Sequence, residues 1–267
     1  MNSVRGTPCN PWDSAVHRTP GGSSSGSGVA TAAGLAAFTI GTDTGGSVRI
    51  PATLNGIFGH KTTVGMWPTD GVFPLSPTLD SIGPLCRTAA DAAIVHSVMN
   101  EVEIPLPGRL KGLRLGRPTA HFYDNLDDQV AACMAAAEAA LVDAGVELVD
   151  VDLPGVEERV WLFRSIVPAE MIASLGRDLF EAEQDRMDPV SAARAAVGLT
   201  VDAVTHVAAQ RRLETLMWEA AEAFGDLDGW ISPTCPCLPM PISEVTDAAH
   251  LKQAMLPSQN TQAANLY

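Results

Sequence analysis

The chain contains 267 residues, of which 46% are hydrophobic and 18% are charged, and its formal net charge is −14. This composition is typical of a globular protein with a sizeable core, and the negative charge argues against nucleic acid or an anionic membrane surface as the main partner. No apolar run reaches the roughly 18–20 residues that span a bilayer. We therefore expect no direct nucleic-acid binding and no membrane association.

The cysteines and the N-terminus indicate a cytoplasmic protein. The cysteine count is five, an odd number that is typical of free thiols rather than of a disulfide framework. Cys235 and Cys237 form a CxC pattern, but no second pair stands at the spacing of a zinc site. Residues 1–13 contain no apolar segment typical of a signal peptide. We expect no metal and no cofactor.

Two glycine- and serine-rich stretches lie close together near the N-terminus. Residues 21–28 are GGSSSGSG and residues 41–47 are GTDTGGS. Between them, residues 29–37 predict a short buried helix and residues 37–40 the start of a strand. A Gly/Ser run is often a flexible linker, and a glycine loop before a helix can hold a phosphate. The structured flanks argue against a linker, and the absence of GK[ST] and GxGxxG patterns argues against a nucleotide site.

A serine that follows two glycines on a tight turn can present its hydroxyl beside several backbone amides. Such amides, pointing into one concavity, form an oxyanion hole. Two hydroxyl-bearing loops joined by a short helix therefore predict a site for nucleophilic chemistry.

Downstream of the loops, the pattern predicts alternating helices and strands. We predict the start of a helix within residues 50–58, a proline- and glycine-rich loop over 65–84, and a helix over 88–99. A β-α-β unit follows, with strands at 113–116 and 146–153 around an alanine-rich helix at 127–144 that ends before Gly145. Long helices are predicted over 169–184 and 201–224, before a return to the sheet at 230–234.

The two loops together carry a family resemblance. GGSSSGSG followed at this spacing by GTDTGGSVRIPA is similar to the motif of the amidase signature family, whose members are Ser-cisSer-Lys amidohydrolases. The resemblance covers nearly all of the chain. It implies an α/β amidase-signature fold, in which helices cover both faces of a central mixed β-sheet, here as a single partial domain incomplete at both ends. Residues 1–153 would form the signature core, 154–225 a helical cap on the substrate side, and 226–267 the return to the sheet.

The resemblance also implies roles for residues in both loops. Ser47 matches the acyl-accepting nucleophile. Ser23 matches the bridging serine that relays protons, which implies a cis peptide bond between Gly22 and Ser23. The remaining matches are the oxyanion-hole amides of Thr44, Gly45, Gly46 and Ser47, and the supporting ion pair of Asp43 and Arg49.

The third member of the family's triad is a lysine several tens of residues before the first serine loop. No lysine precedes Ser23, and the lysines present are Lys61, Lys111 and Lys252. Lys61 lies in a segment similar to the one that follows the family's nucleophile, and we predict that all three are solvated surface charges. We therefore expect the catalytic lysine to be absent from these 267 residues, which resemble the middle of an amidase, and at most trace activity.

The function implied by the resemblance is hydrolysis of a carboxamide C–N bond to carboxylate and ammonia or amine through an acyl-serine. The partner would be a small-molecule amide, and a homodimer remains open. Two alternatives also remain open. One is the A-type subunit of a glutamine-dependent aminoacyl-tRNA amidotransferase, and the other is a truncated, catalytically silent protein.

Overall fold

The computed structural model describes residues 5–104, 108–245 and 255–267, and within them the strands form two three-stranded sheets. The antiparallel sheet has the order β1-β3-β2, with β1 (Phe38–Asp43), β2 (Phe58–Gly59) and β3 (Ser81–Cys86). The parallel sheet has the order β5-β4-β6, with β4 (Arg114–Pro118), β5 (Glu147–Val151) and β6 (Gly229–Trp230). The mixed α/β class predicted from the sequence is confirmed, and its described strands are divided between these two sheets.

Helices make up most of the remaining regular structure. The α-helices of the described ranges are α1 (Ser25–Ala32), α2 (Arg49–Leu54), α3 (Ala89–Asn100), α4 (Asp128–Asp143), α5 (Arg159–Leu175), α6 (Arg177–Glu183), α7 (Pro189–Ala196), α8 (Ala203–Phe224) and α9 (Gln259–Ala264). None of these helices has both the length and the apolar character that a membrane crossing requires.

The helix between the two serine loops lies a few residues earlier in the chain than predicted. The helix was predicted over residues 29–37, but α1 begins at Ser25, inside the first loop, and ends at Ala32. Gly34 follows with φ +72°, a conformation that glycine adopts without the penalty of a Cβ atom and that stops the helix. The predicted strand entry is confirmed, because β1 starts at Phe38.

The predicted loop over residues 65–84 is wrong at its C-terminal end, where β3 begins at Ser81. Pro84 lies within this strand although proline lacks the N–H that a central strand uses. Its carbonyl still accepts a hydrogen bond from the amide of His60 at 3.0 Å. Gly83 permits the close approach of the two chain segments, because a Cβ atom there would lie 1.9 Å from the carbonyl oxygen of His60. The proline and glycine that suggested a loop thus fit one particular strand pairing.

The predicted β-α-β unit is confirmed. Asp127 caps α4 by accepting a hydrogen bond from the amide of Gln129 at 2.9 Å, and Gly145 follows the helix with φ +88°. β4 lies between β5 and β6, so the chain returns to the sheet after α8 as predicted. The return is short, however, because β6 contains only Gly229 and Trp230.

The long helical stretch begins earlier than its pattern indicates. α5 starts at Arg159, ten residues before the predicted start, and continues through Pro168 to Leu175; Gly176 separates it from α6, which begins at Arg177. Apolar packing holds this stretch together. One buried cluster is formed by Ile172, Phe180 and Ala195. A second cluster joins α5 and α8 to residues outside the stretch: Leu79, Leu162, Ile166, Ala209, Leu213, Leu216 and Leu266.

Candidate active site

The two serine loops lie side by side. The backbone amide of Ser24 donates a hydrogen bond to the carbonyl of Ser47 at 3.2 Å, and the Gly22–Ser23 peptide bond is cis, as expected. Ser23 is exposed, and Ser47 is half-buried in the turn between β1 and α2. Neither hydroxyl forms a hydrogen bond with another residue in the described parts of the chain. Both therefore remain available for proton transfer or for attack on a substrate.

Asp43 organises the turn that carries Ser47. Its side chain is fully buried and accepts hydrogen bonds from the amides of Gly46 at 2.7 Å and Val48 at 3.2 Å. Arg49 adds two contacts, from Nη2 at 2.9 Å and from Nε at 3.0 Å. Burial by itself would raise the pKa of Asp43, but the Arg49 charge and these hydrogen bonds outweigh it, so the pKa is lowered. The predicted Asp43–Arg49 ion pair is thus present, and its carboxylate shapes the loop.

The predicted set of oxyanion donors needs one revision. The amide of Gly46 points to Asp43 and is occupied, because a buried carboxylate requires hydrogen-bond donors. The amides of Thr44, Gly45 and Ser47 donate to no other residue within the described ranges. They are the donors of the predicted set that can meet a developing negative charge on a substrate.

Helix α9, more than 200 residues away in sequence, closes over the same turn. The Thr261 hydroxyl donates to the carbonyl of Gly45 at 2.9 Å, and Asn265 Nδ2 donates to the carbonyl of Thr44 at 2.5 Å. Arg49 Nη2 donates to Asn265 Oδ1. Sequence reasoning missed both Thr261 and Asn265, since nothing in residues 259–265 matches the motif of the serine loops. Their only signal is a run of polar residues that turns out to be buried.

A second set of polar contacts links the turn to α5. The Thr44 hydroxyl donates to Asp80 Oδ1, and Asp80 Oδ2 accepts from the amides of Leu75 at 2.8 Å and Ser76 at 2.9 Å. The Ser76 hydroxyl donates to Glu170 Oε2 on α5 at 2.6 Å. This chain of contacts joins the turn to the helical stretch, and the sequence analysis did not identify Asp80 or Glu170.

Helices α5 and α9 form the wall beside Gly45. A Cβ atom on Gly45 would lie 3.0 Å from Phe163 Cε1 and 3.3 Å from Gln262 Cγ. Arg159, one helical turn before Phe163, donates from Nη1 to Gln262 Oε1 at 3.3 Å. A side chain at position 45 would therefore crowd Phe163 and Gln262, and the Arg159 guanidinium contacts the second of these.

Comparison with known proteins places this arrangement in a family. The sequence profile named Amidase matches residues 1–266. The chain belongs to the amidase family. A 2-amino-5-chloromuconic acid deaminase from Comamonas testosteroni is 38% identical over all of this chain and 59% of its own length. An indoleacetamide hydrolase from Allorhizobium ampelinum is 45% identical over 49% of this chain and 28% of its own length.

The fold comparison agrees with that membership. The crystal structure of the A-type subunit of glutamyl-tRNA(Gln) amidotransferase from Thermotoga maritima matches 99% of this chain and 60% of its own, with a TM-score of 0.81 and 26% identity. This chain of the amidase family therefore spans about three fifths of the length of the longer matches.

The lysines of this amidase-family chain depart in part from their prediction. Lys61 is half-buried, with Nζ 3.1 Å from the carbonyl of Thr62, and is not the solvated surface charge that was expected. Burial lowers its pKa, the nearby Arg49 charge lowers it further, and Asp43 partly opposes the shift. Lys111 is exposed as predicted, and Lys252 lies outside the described residues.

The described residues do not form a metal-binding site. They contain no group of three or more His, Cys, Asp or Glu side chains close enough to hold an ion. The nearest suggestion in the sequence was the CxC pattern. Cys235 in that pattern is buried in an apolar cluster with Ile50 and Leu54, which is ordinary packing for a small thiol.

Proposed function

We propose that this chain carries the nucleophilic part of an amidase that hydrolyses a carboxamide C–N bond to carboxylate and ammonia or amine. The single observation that carries the proposal is the turn around Ser47. Asp43 holds this turn, and the Thr44, Gly45 and Ser47 amides have no acceptor within the described ranges, while the first serine loop is bonded directly to it. Family membership supports the reaction class.

In the proposed mechanism, Ser47 Oγ attacks the amide carbonyl and its proton passes to Ser23 Oγ. Ser23 in turn gives its own proton to a base, for which the family resemblance implies a lysine. The oxyanion accepts hydrogen bonds from the Thr44, Gly45 and Ser47 amides, and loss of one such donor typically raises the barrier by about 2.7–4 kcal/mol. The C–N bond then breaks, the nitrogen takes up a proton and leaves, and water hydrolyses the Ser47 ester to carboxylate and free serine.

The substrate in this proposal is a small molecule. The deaminase and the hydrolase among the relatives are named for an acid and for an indoleacetamide, both of which are small organic compounds. We further propose that residues 1–153 form the signature core, that 154–225 form a cap on the substrate side, and that 226–267 return to the sheet. The contact between Phe163 on α5 and Gly45 supports a cap beside the reaction centre. The acidic chain with free cysteines supports a cytoplasmic location.

Ammonia transfer within an amidotransferase complex is the second candidate. The match to the Thermotoga maritima amidotransferase structure over 99% of this chain supports it. The two candidates differ in the amide that they consume. Ammonia release from glutamine that increases on addition of partner proteins would favour the amidotransferase. Release from simple amides by the isolated protein would favour the hydrolase.

The test of the proposal is covalent labelling of Ser47 combined with ammonia release. We expect a fluorophosphonate to label Ser47, identified by peptide mass spectrometry, and Ser47→Ala to abolish labelling. In the product of the whole gene, Ser47→Ala should lower ammonia release at least about a thousandfold, because the residues of a nucleophilic relay act as a unit. Ser191→Ala is the matched control, since Ser191 is exposed on α7. Labelling of a different serine, or unchanged turnover in Ser47→Ala, would contradict the proposal.

A further inference from the structure

Arg159 is an arginine without a carboxylate partner in the described residues. It is the first residue of α5 and is half-buried, and its side chain contacts the neutral amide oxygen of Gln262. Burial lowers the pKa of Arg159. By contrast, Arg212 on α8 lies between Glu158 and Glu219, and Arg49 is paired with Asp43. A partly desolvated guanidinium that lacks an anion is unusual, since charges removed from water are normally paired.

Arg159 lies close to the turn that carries the candidate nucleophile. Arg159 and Phe163 are four residues apart on α5 and so project from the same side of the helix. The Phe163 ring reaches Gly45, two residues before Ser47, and Gln262 touches both Gly45 and Arg159. Only the Gln262 side chain thus separates the guanidinium from the turn that carries the candidate oxyanion donors.

We propose that Arg159 binds a carboxylate group of the substrate, so that the preferred substrates are short amides that also carry a carboxylate. This inference rests on the proposed hydrolytic function. Gln262 holds the guanidinium in place through one of its N–H groups, which leaves a pair of donors for a bidentate contact with carboxylate oxygens. Phe163 supplies an apolar contact for the carbon chain between the carboxylate and the scissile amide.

The charge of the whole molecule makes a local cation necessary for such a substrate. The net charge of −14 repels an anionic ligand, so its binding depends on a fixed positive group in the site. No carboxylate of the described residues forms an ion pair with Arg159, and Glu158 is paired with Arg212. His121 Nε2 lies 3.2 Å from the carbonyl oxygen of Gln259, and burial first, with the Arg159 charge adding to it, lowers the pKa of His121. An imidazole carries no negative charge in either of its ordinary protonation states, so His121 does not neutralise Arg159.

The experiment uses two matched amides and one product-like ligand. Succinamate carries an amide and a carboxylate, butanamide is its neutral counterpart of equal chain length, and succinate reports binding without turnover. The variants are Arg159→Gln, Arg159→Lys and the control Arg164→Gln. Arg164 lies on the same helix but is exposed. Its replacement by Gln changes the net charge by the same amount as Arg159→Gln without removing the half-buried guanidinium. Circular dichroism verifies folding of each variant.

We expect calorimetry to detect succinate binding to the wild type and to Arg164→Gln, at least tenfold weaker binding to Arg159→Gln, and partial retention in Arg159→Lys. For hydrolysis by the product of the whole gene, Arg159→Gln should raise the KM for succinamate about 10- to 100-fold, equivalent to about 1.4–2.7 kcal/mol. It should lower kcat/KM for butanamide by much less than kcat/KM for succinamate.

Three results would overturn the inference: no succinate binding to the wild type, equal binding to the wild type and Arg159→Gln, or equal losses with both amides. The last of these would indicate a structural role. Failure of the hydrolytic function itself is a different outcome. In that case succinate binds through Arg159, but neither amide releases ammonia and the fluorophosphonate does not label Ser47.

Discussion

Two regions of this molecule are held together in different ways. The nucleophile unit, defined as residues 21–86, combines small apolar clusters with directional polar contacts, and its buried polar side chains include Asp43, Thr44 and Asn55. The helical segment, defined as residues 159–224, buries mainly apolar side chains such as Phe180 and Leu216. Its charges pair at the surface, as in Arg186–Glu183 at 2.6 Å.

Side-chain positions are more narrowly constrained around Asp43 than in the apolar core of the helical segment. A carboxylate in a dry interior must be met by donors at hydrogen-bond distance, so each partner of Asp43 has one acceptable position. Apolar contacts have no direction, and a helix can shift or exchange similar side chains at modest cost. The nucleophile unit, which contains the candidate serines, therefore depends on particular residues, whereas the helical segment supplies bulk packing and borders the candidate site through α5.

The largest expected change in stability comes from the apolar core of the helical segment. Phe180→Ala removes a fully buried ring from a cluster formed within this segment. It should lower the free energy of unfolding by about 3–5 kcal/mol, because the transfer and cavity terms add. Chemical denaturation measures this loss. Leu179→Ala, at an exposed neighbouring position, is the control and should change little. The rate of fluorophosphonate labelling of Ser47 should be unchanged while Phe180→Ala is folded, and a large drop would contradict the separation of the two regions.

Loss of a polar contact to the nucleophile unit should cost less stability than Phe180→Ala but should slow the labelling of Ser47 more. Asn265→Ala removes the donor to the Thr44 carbonyl and the acceptor for Arg49. We expect a loss of about 1–3 kcal/mol in unfolding free energy, since buried partners are left unsatisfied. The labelling rate of Ser47 should fall more than it does in Phe180→Ala, because the turn loses a restraint.

Gln129→Ala controls for removal of an amide side chain, since Gln129 is exposed on α4. A labelling rate in Asn265→Ala equal to that of this control would show that α9 does not position the turn.

The smallest expected effect is a pH dependence at the edge of the nucleophile unit. His60 Nε2 lies 2.9 Å from His96 Nδ1, and burial, with the His96 and Lys61 charges adding to it, lowers the pKa of His60. The unfolded chain, with an ordinary histidine pKa near 6.5, takes up the proton first as the pH falls. Stability is therefore lost as the pH falls from about 7 through 6.5 toward the folded pKa.

Thermal unfolding of the wild type and of His60→Asn between pH 5 and 8 measures this effect. The wild type should lose more stability toward pH 5 than the variant does. Parallel curves for the two proteins would refute a contribution from His60.

Local patterns allowed much of the fold to be predicted. The capped helix α3 after Thr88 and the β-α-β unit from β4 to β5 follow from periodicity and from turn residues such as Asp127 and Gly145. The early start of α5 and the strand β3 were missed because Pro168 and Pro84 look like breaks when only neighbours in sequence are considered. In both places, packing with distant segments outweighs local preference.

The sequence by itself determined the family resemblance and marked Ser47, Ser23, Asp43 and Arg49 as candidate site residues, because all of these lie within one short stretch whose spacing is readable. Only the tertiary structure decided that the Gly46 amide donates to Asp43 and that Asn265 donates to the turn of Ser47. It also decided that Arg159 lies near that turn without a carboxylate partner among the described residues. The physical reason is distance along the chain. These contacts join residues separated by more than 100 or 200 positions, except the one at Gly46, and that one depends on the rotation of a single amide that residue order does not encode.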